Sequence, residues 1–287
     1  MIKIQDGCDR YCSYCIVPYA RGKVKSKNPE EVIEEIKQIE GKGIREIVIT
    51  GIHLASYGKD FRDNNALIKL LEKINETTSI KRIRLSSLEP TLITEEFASR
   101  LKKVTKICNH FHLSLQSGCN TVLARMNRKY NTSAFEKSVK ILRKEFPDCA
   151  LTTDIIVGFP GETDEEFETT YKYLEKINFY QMHIFKYSPR NGTKAATMPM
   201  QIDGKIKEER SNKLIKLSNK GREEFNKKYI GREVEVLFEE ADGEDIKGHT
   251  TNYMLVYVNK KYALENEIKW IKIEKVEGDK MVGKVAT

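Results

Sequence analysis

The sequence predicts an α/β fold in two parts: a partial (β/α)6 barrel of the TIM type over residues 1–224, then a small all-β, OB-like module over residues 225–287. Three observations predict it. Short β-branched runs alternate with longer amphipathic stretches through the first part, the signature of parallel strands covered by helices. Six such units are too few to close an eight-stranded barrel and suit an open one. From about Phe225 the apolar residues recur at period two, punctuated by Gly243, Gly248, Asn259 and Gly278, as in a small β barrel.

The predicted strands of the first part are residues 2–4, 47–50, 82–85, 111–115, 152–157 and 181–185. Helical periodicity falls between them at 29–41, 65–76, 94–102, 132–145 and 163–176. The first of these helices carries its own start signal: Asn28 as cap, Pro29 in the first helical position, then Glu30 and Glu31. In the second part, residues 233–238, 253–258, 268–274 and 281–285 alternate apolar with polar side chains. The simplest assembly is a five-stranded barrel.

With 39% hydrophobic residues in 287, the chain can build a core of this size. No apolar run approaches the ~20 residues of a membrane span. The expectation is a cytoplasmic protein without a targeting segment and with free thiols. The net charge of +8 is unevenly placed. Residues 1–224 hold 39 basic against 30 acidic side chains, and residues 225–287 hold 11 against 12. Within 205–232 the count is 10 against 4, from Lys205 to Arg232. Such a stretch reads as a surface for a polyanion or as a solvated helix face. In the β module, Tyr253, Tyr257, Tyr262 and Trp270 are candidates to stack on bases or to fill the core.

The chemistry concentrates in Gly7-Cys8-Asp9-Arg10-Tyr11-Cys12-Ser13-Tyr14-Cys15. Three thiolates within eight positions can grip one iron–sulfur cluster. A four-iron cluster held by three cysteines keeps one iron open. Structural zinc prefers four ligands in two separated pairs, and no second pair follows. A disulfide framework fits a short secreted chain, not this one. Every loop after a predicted strand also carries polar or glycine chemistry: Thr50-Gly51-Ile52-His53, Ser86-Ser87-Leu88-Glu89-Pro90, Gln116-Ser117-Gly118, Gly158-Phe159-Pro160-Gly161-Glu162 and Tyr187-Ser188-Pro189-Arg190. In barrels of this type such loops converge on one functional rim. Gly161 reads as a turn residue. Asp154, inside an otherwise apolar strand, points to a functional polar contact, since an unpaired buried carboxylate is costly.

With these motifs together, the chain resembles the radical S-adenosylmethionine (SAM) methylthiotransferases from the cysteine motif to the last strand. Gly51 through Gly58, His110-Phe111-His112 and Met126-Asn127-Arg128-Lys129-Tyr130 look most like the branch acting on N6-threonylcarbamoyladenosine beside the tRNA anticodon. The resemblance implies a radical SAM barrel followed by a TRAM domain associated with tRNA binding. It implies that Cys8, Cys12 and Cys15 hold a [4Fe-4S] cluster whose open iron chelates SAM. A one-electron reductant then drives SAM cleavage, and a methylthio group is placed on carbon 2 of the adenine. Tyr14, Gly51, Gln116 and Val157 are the implied SAM-binding positions, and Arg190 would reach the substrate or a phosphate. The superfamily's frequent Gly-Gly-Glu after the second strand is replaced by Thr50-Gly51.

Full-length members of that family carry an N-terminal domain with three more cysteines and a second, sulfur-supplying cluster, and these residues are read as not including it. Cys108, Cys119 and Cys149 are spaced too widely to rebuild it and read as ordinary thiols. The chain is expected to bind one cluster and cleave SAM without completing sulfur insertion unaided, whether it is a truncated stretch or a natural short form. Three alternatives stay open: methylthiolation of isopentenyladenosine in tRNA or of a ribosomal-protein aspartate, a non-catalytic RNA-binding fragment, and a zinc protein.

Overall fold

The computed structural model describes residues 1–286. β1 (Ile2–Asp6) sends Ile2 and Ile4 into the core. The chain then passes through α1 (Val17–Arg21) and a two-residue strand, β2 (Lys25–Ser26), antiparallel to β1. α2 (Pro29–Glu40) begins at the predicted cap, the Asn28 side chain accepting from the Glu30 N–H at 2.8 Å. Alternation follows: β3 (Glu46–Gly51), α3 (Ala66–Thr77), β4 (Arg82–Leu85), α4 (Glu95–Lys103) and β5 (His110–His112). Next come α5 (Asn120–Arg125), α6 (Thr132–Glu145), β6 (Ala150–Val157), α7 (Asp164–Ile177), β7 (Gln181–Lys186) and α8 (Gly204–Lys227).

β1, β3 and β4 run parallel in one sheet, and β5, β6 and β7 in another. Parallel bridges Ile83–Ile107 and Leu88–Leu113 join the two into a six-stranded wall in chain order. Among the described residues β1 and β7 do not pair, and β2 takes the free edge of β1, so the barrel stays open. β5 is shorter than its predicted span. From Leu113 onward the chain touches its neighbours through single bonds, Leu113 N–H to Thr152 O at 2.9 Å and Ser114 N–H to Leu88 O at 3.0 Å. The helices bury one face each against this wall. α3 contributes Leu67, Leu70, Leu71 and Ile74, each worth about 1.5–3 kcal/mol of burial. No helix among the described residues is long and apolar enough to cross a membrane.

The second part is a closed five-stranded barrel: β8 (Glu233–Asp242), β9 (Asp245–Thr250), β10 (Leu255–Asn259), β11 (Ile268–Glu277) and β12 (Lys280–Val285). All pairings are antiparallel except β10 with β12. β9 is the strand the sequence pattern left unassigned. Its inward positions are Ile246, Gly248 and Thr250, too mixed to read as an apolar alternation. Gly248 is required there, because a Cβ would lie 2.1 Å from the Leu237 carbonyl oxygen.

The two parts share a core. α8 runs past residue 224 and packs Phe225 against Tyr180 and Tyr229, with ring centroids 5.0 and 5.4 Å away. Arg82 and Arg84, both buried on the inner face of β4, hold the small barrel. Arg82 donates to Glu235 at 2.7 Å and to the His249 carbonyl at 2.9 Å. Arg84 pairs with Glu46 and donates to the carbonyls of Thr250 and Thr251. Tyr253 lies before β10, at φ +68°, with its ring stacked between His110 and His249 at 4.6 Å from each. Its ring is thereby committed to the junction. Tyr257 is buried, whereas Tyr262 and Trp270 are about half exposed.

Candidate active site

Cys8, Cys12 and Cys15 share the loop after β1, all half-buried. Backbone geometry fixes that loop. Gly7 sits at φ +70°, and a Cβ there would fall 1.9 Å from the Lys23 carbonyl oxygen. The Cys8 N–H donates to Gly22 O at 3.1 Å, and the Cys15 N–H to Cys12 O at 3.0 Å. Ser13 ties the loop to the end of α5, its N–H donating to Met126 O at 3.1 Å and its hydroxyl to Arg125 O at 2.8 Å. Arg125 in turn forms a two-pronged pair with Glu166 on α7, at 2.9 and 2.6 Å. From the other side, Gln5 donates to Gly7 O at 2.8 Å and accepts the His53 N–H at 2.7 Å.

The thiols lie in one electrostatic neighbourhood. Burial first, then the charges of Cys12 and Cys15, pushes the Cys8 thiol above its ordinary value. Arg128, half-buried with its guanidinium 4.8 Å over the Tyr130 ring, donates to Cys12 Sγ at 3.2 Å. Beside it, Glu89 is buried against Arg10, 2.7 Å away, and against His53 Nε2. Burial alone would raise the Glu89 carboxyl, but the His53 hydrogen bond and the nearby arginines outweigh it and hold the group below its usual range. His53 Nδ1 meets Ser56 Oγ at 2.6 Å, so both ring nitrogens are engaged.

This donor set fits a three-cysteine cluster. The nearest histidine is committed to Ser56 and Glu89. The other three thiols are buried elsewhere: Cys108 beside Glu46, Cys119 beside Thr121, and Cys149 in the core, with burial pushing Cys108 and Cys149 up to about 12. Three thiolates would bind three irons and leave the fourth open, whereas a closed zinc site needs a fourth ligand.

Cys15 also borders a cavity of about 260 Å³ walled by Tyr14, Gln116, Asp154, Tyr187 and Arg190. Gln116 reaches this wall through a left-handed backbone, φ +73°, braced by its N–H to Asp154 O at 2.8 Å and by the Ile156 N–H to its own carbonyl at 2.9 Å. The structure therefore brings Tyr14, Gln116, Asp154 and Arg190 together beside the cysteines. Gly51 and Val157 stand apart from that wall. Gly51 faces Gln5, whose Cβ would be 2.9 Å from an added Cβ, and Val157 is buried at the end of β6.

The loop after β6 is architectural. Gly161 turns at φ +74°, and buried Glu162 accepts from the Gly158 N–H at 2.9 Å and from Arg210 at 2.6 Å. Arg210 also reaches Asp164 at 2.7 Å, and Lys207 donates to Tyr187 O at 3.0 Å. Part of the basic stretch at 205–232 thus points inward and is unavailable to a polyanion. Sequence reasoning assigned no role to Gln5, Arg10 or Arg128. The available signals were an inward polar residue in β1 and an arginine inside the motif at 126–130.

The sequence matches the Radical SAM superfamily over residues 2–174. It is 44% identical over 260 residues to the threonylcarbamoyladenosine tRNA methylthiotransferase MtaB of Bacillus subtilis (strain 168), covering 89% of this chain and 58% of that protein. It is 39% identical over 287 residues to the tRNA-2-methylthio-N(6)-dimethylallyladenosine synthase of Thermoanaerobacter sp. (strain X514), covering 99% of this chain and 61% of that protein. The chain thus spans about three fifths of the length of these relatives. Among solved structures, the fold is similar to the radical SAM methyltransferase TsrM from Kitasatospora setae, solved with cobalamin and a [4Fe-4S] cluster bound. The TM-score is 0.57 at 17% identity, over 68% of this chain and 38% of that one. It is also similar to methylornithine synthase (PylB), with a TM-score of 0.56 at 13% identity over 77% and 61%. A superfamily match across most of the α/β part, on a fold shared with these enzymes and with three cysteines on the loop after the first strand, has one meaning: the chain belongs to the radical SAM superfamily, and the relatives it matches are tRNA methylthiotransferases.

Proposed function

We propose that this chain is the radical SAM and tRNA-binding portion of a tRNA methylthiotransferase, directed to carbon 2 of N6-threonylcarbamoyladenosine beside the anticodon. The carrying observation is that Cys8, Cys12 and Cys15 share one loop, bordering the cavity of Tyr14 and Gln116. Residues 1–224 serve as the radical SAM core and residues 225–287 as a TRAM domain. The higher identity to the threonylcarbamoyladenosine enzyme supports the choice of base.

In this reading the three cysteines hold a [4Fe-4S] cluster and the adjoining cavity takes SAM. Held there, the cluster would supply one-electron chemistry for the reductive cleavage of SAM, with the electron drawn from a one-electron reductant. The protein's own part is positioning. Arg128 stabilises negative charge on Cys12 Sγ, and the Arg10–Glu89–His53 chain of contacts and Gln5 keep the loop in register with β3. Tyr14 and Gln116 wall the SAM site, while Gly51 and Val157 lie behind it at the ends of β3 and β6. Arg190, on the same cavity wall, is assigned to the substrate or a phosphate, and Asp154 to a polar contact there. Sulfur delivery calls for a second cluster outside these residues.

The test is anaerobic reconstitution with iron and sulfide, then dithionite, SAM and tRNA carrying either threonylcarbamoyladenosine or isopentenyladenosine. About four irons per chain, 5′-deoxyadenosine, and binding preference for the first tRNA are expected. Zinc in place of iron, or intact SAM, refutes the reading. Equal or reversed preference refutes the choice of base.

A further inference from the structure

We propose that His112, Asp154 and His183 form a second metal site, in the barrel wall, that takes one first-row divalent cation such as Zn²⁺, Co²⁺ or Fe²⁺. The three side chains come from three consecutive parallel strands, β5, β6 and β7. Asp154 and His183 are direct register partners, and His112 pairs with Thr152 two residues below Asp154. Parallel register places partners on the same side of the sheet, so the three converge without any one loop encoding them. One ligand atom from each lies within 4.8 Å of the other two. The His112 and His183 rings are 5.8 Å apart and inclined by only 29°.

His112 is braced from outside the cluster as a metal ligand would be, and His183 stands exposed at its open side. His112 Nδ1 meets Thr152 Oγ1 at 3.0 Å, and the same hydroxyl meets His110 Nε2 at 2.9 Å. This outer contact fixes the His112 ring and turns Nε2 toward the carboxylate. Nε2 is buried and stands 3.3 Å from Asp154 Oδ2, yet is not aligned for a hydrogen bond. In the tautomer whose Nδ1 donates to Thr152, a bare imidazole lone pair faces a carboxylate, an arrangement a cation relieves. Two imidazoles and a carboxylate select borderline first-row cations over Mg²⁺ or Ca²⁺, which prefer all-oxygen shells. Three protein ligands leave positions open. Asp154 also walls the cavity beside Cys15 and Tyr14, so those positions are within reach of an oxygen donor on a ligand held there. This site is separate from the cysteines, and the inference stands whichever nucleoside the enzyme modifies.

The test uses the full chain with Cys8, Cys12 and Cys15 replaced by alanine, stripped with chelator and titrated with Zn²⁺ by calorimetry and Co²⁺ by absorption. One saturable equivalent is expected, with the ligand-field bands of a nitrogen- and oxygen-bound Co²⁺. Asp154→Asn and His183→Ala should each weaken uptake at least about 100-fold, and Thr152→Val about 10–100-fold, the range for an outer partner. In case the triple-cysteine chain folds poorly, the same cations are added to the cluster-loaded protein, and metal content after dialysis and melting temperature are read. One extra equivalent and a raised melting temperature, both lost in His183→Ala, are expected there. No saturable uptake in either format overturns the site. So does uptake that survives both Asp154→Asn and His183→Ala, because it would belong to other ligands.

Discussion

Gly7 is where the backbone most directly controls the cysteine loop, and substituting it separates steric from conformational cost. Gly7→Ala places a methyl group at positive φ, which costs about 1–2 kcal/mol for an L residue. The added Cβ would also fall 1.9 Å from Lys23 O and 2.8 Å from Gly22 O, so the two backbone segments must part by more than an ångström. Parting them breaks the Cys8 N–H···O Gly22 bond and strains the Gln5 contact to Gly7 O, each worth about 1 kcal/mol. The total is about 3–4 kcal/mol. Gly243 is the control: φ is +63°, and nothing lies within 4 Å of its Cβ position, so Gly243→Ala carries only the conformational term. Thermal unfolding and iron content after anaerobic reconstitution read the pair. Gly7→Ala should melt at least about 5 °C below Gly243→Ala and lose most of its cluster loading, while Gly243→Ala loads as the parent does. Equal melting temperatures, or full loading of Gly7→Ala, would refute the claim that this contact shapes the cluster loop.

Four further outcomes follow from the geometry. Arg125 holds the Glu166 carboxyl down at about 2, from an ordinary 4.5, so the pair's contribution is complete above pH 4.5 and disappears as pH falls through about 2. Because the pair is partly solvated, Glu166→Gln should cost about 1 kcal/mol at pH 7 and flatten the acid limb of a melting-temperature-versus-pH curve. Arg210→Met strands the buried Glu162 carboxylate and should cost about 3–5 kcal/mol by denaturant unfolding, with much of the loss recovered in Arg210→Met/Glu162→Gln. Arg128→Met removes the N–H···S contact to Cys12 and should lower the cluster's reduction potential in an EPR-monitored titration while leaving iron content near the parent's. Trp270→Ala, at an exposed ring of the small barrel, should weaken tRNA binding by about 1–3 kcal/mol with unchanged melting. Parent-like affinity would remove that ring from the RNA surface.

What the sequence makes legible here follows from which interactions are local. The cysteine spacing, the Asn28 cap and the strand–helix alternation each depend on neighbours within a few residues. The wall of six strands follows from that alternation. Arg128 and Cys12 are 116 residues apart, and Gln5 and His53 are 48 apart, so their contacts exist only once the strands are in register. The same holds for His112, Asp154 and His183, whose meeting is a property of the β5–β6–β7 register. Tyr253 shows the opposite failure. Its place in a period-two run suggested a strand, yet the residue takes a left-handed turn and its ring is spent between two histidines. The basic stretch misleads in the same way, since a count of arginines cannot tell that Arg210 faces Glu162.

The polar side of the barrel explains why the small β barrel is fastened rather than tethered. An inward face carrying Arg82, Arg84, Glu46 and His110 cannot be left against an apolar filling, because each unpaired buried group costs roughly 1–3 kcal/mol. Those side chains are instead paired with Glu235 and with the carbonyls of His249, Thr250 and Thr251, and His110 is covered by Tyr253. The charge on β4 is thereby spent at the junction. It leaves the upper rim, where Cys15, Gln116, Asp154 and Arg190 border the cavity, as the polar surface of the barrel still free to meet a ligand. Under the proposed function, a nucleic acid on the small barrel would be referenced through Arg82 and Arg84 to β4, and through the continuous wall of strands to the cysteine loop. Weakening that junction with Arg84→Met should therefore impair the positioning of a bound tRNA before it impairs the cleavage of SAM.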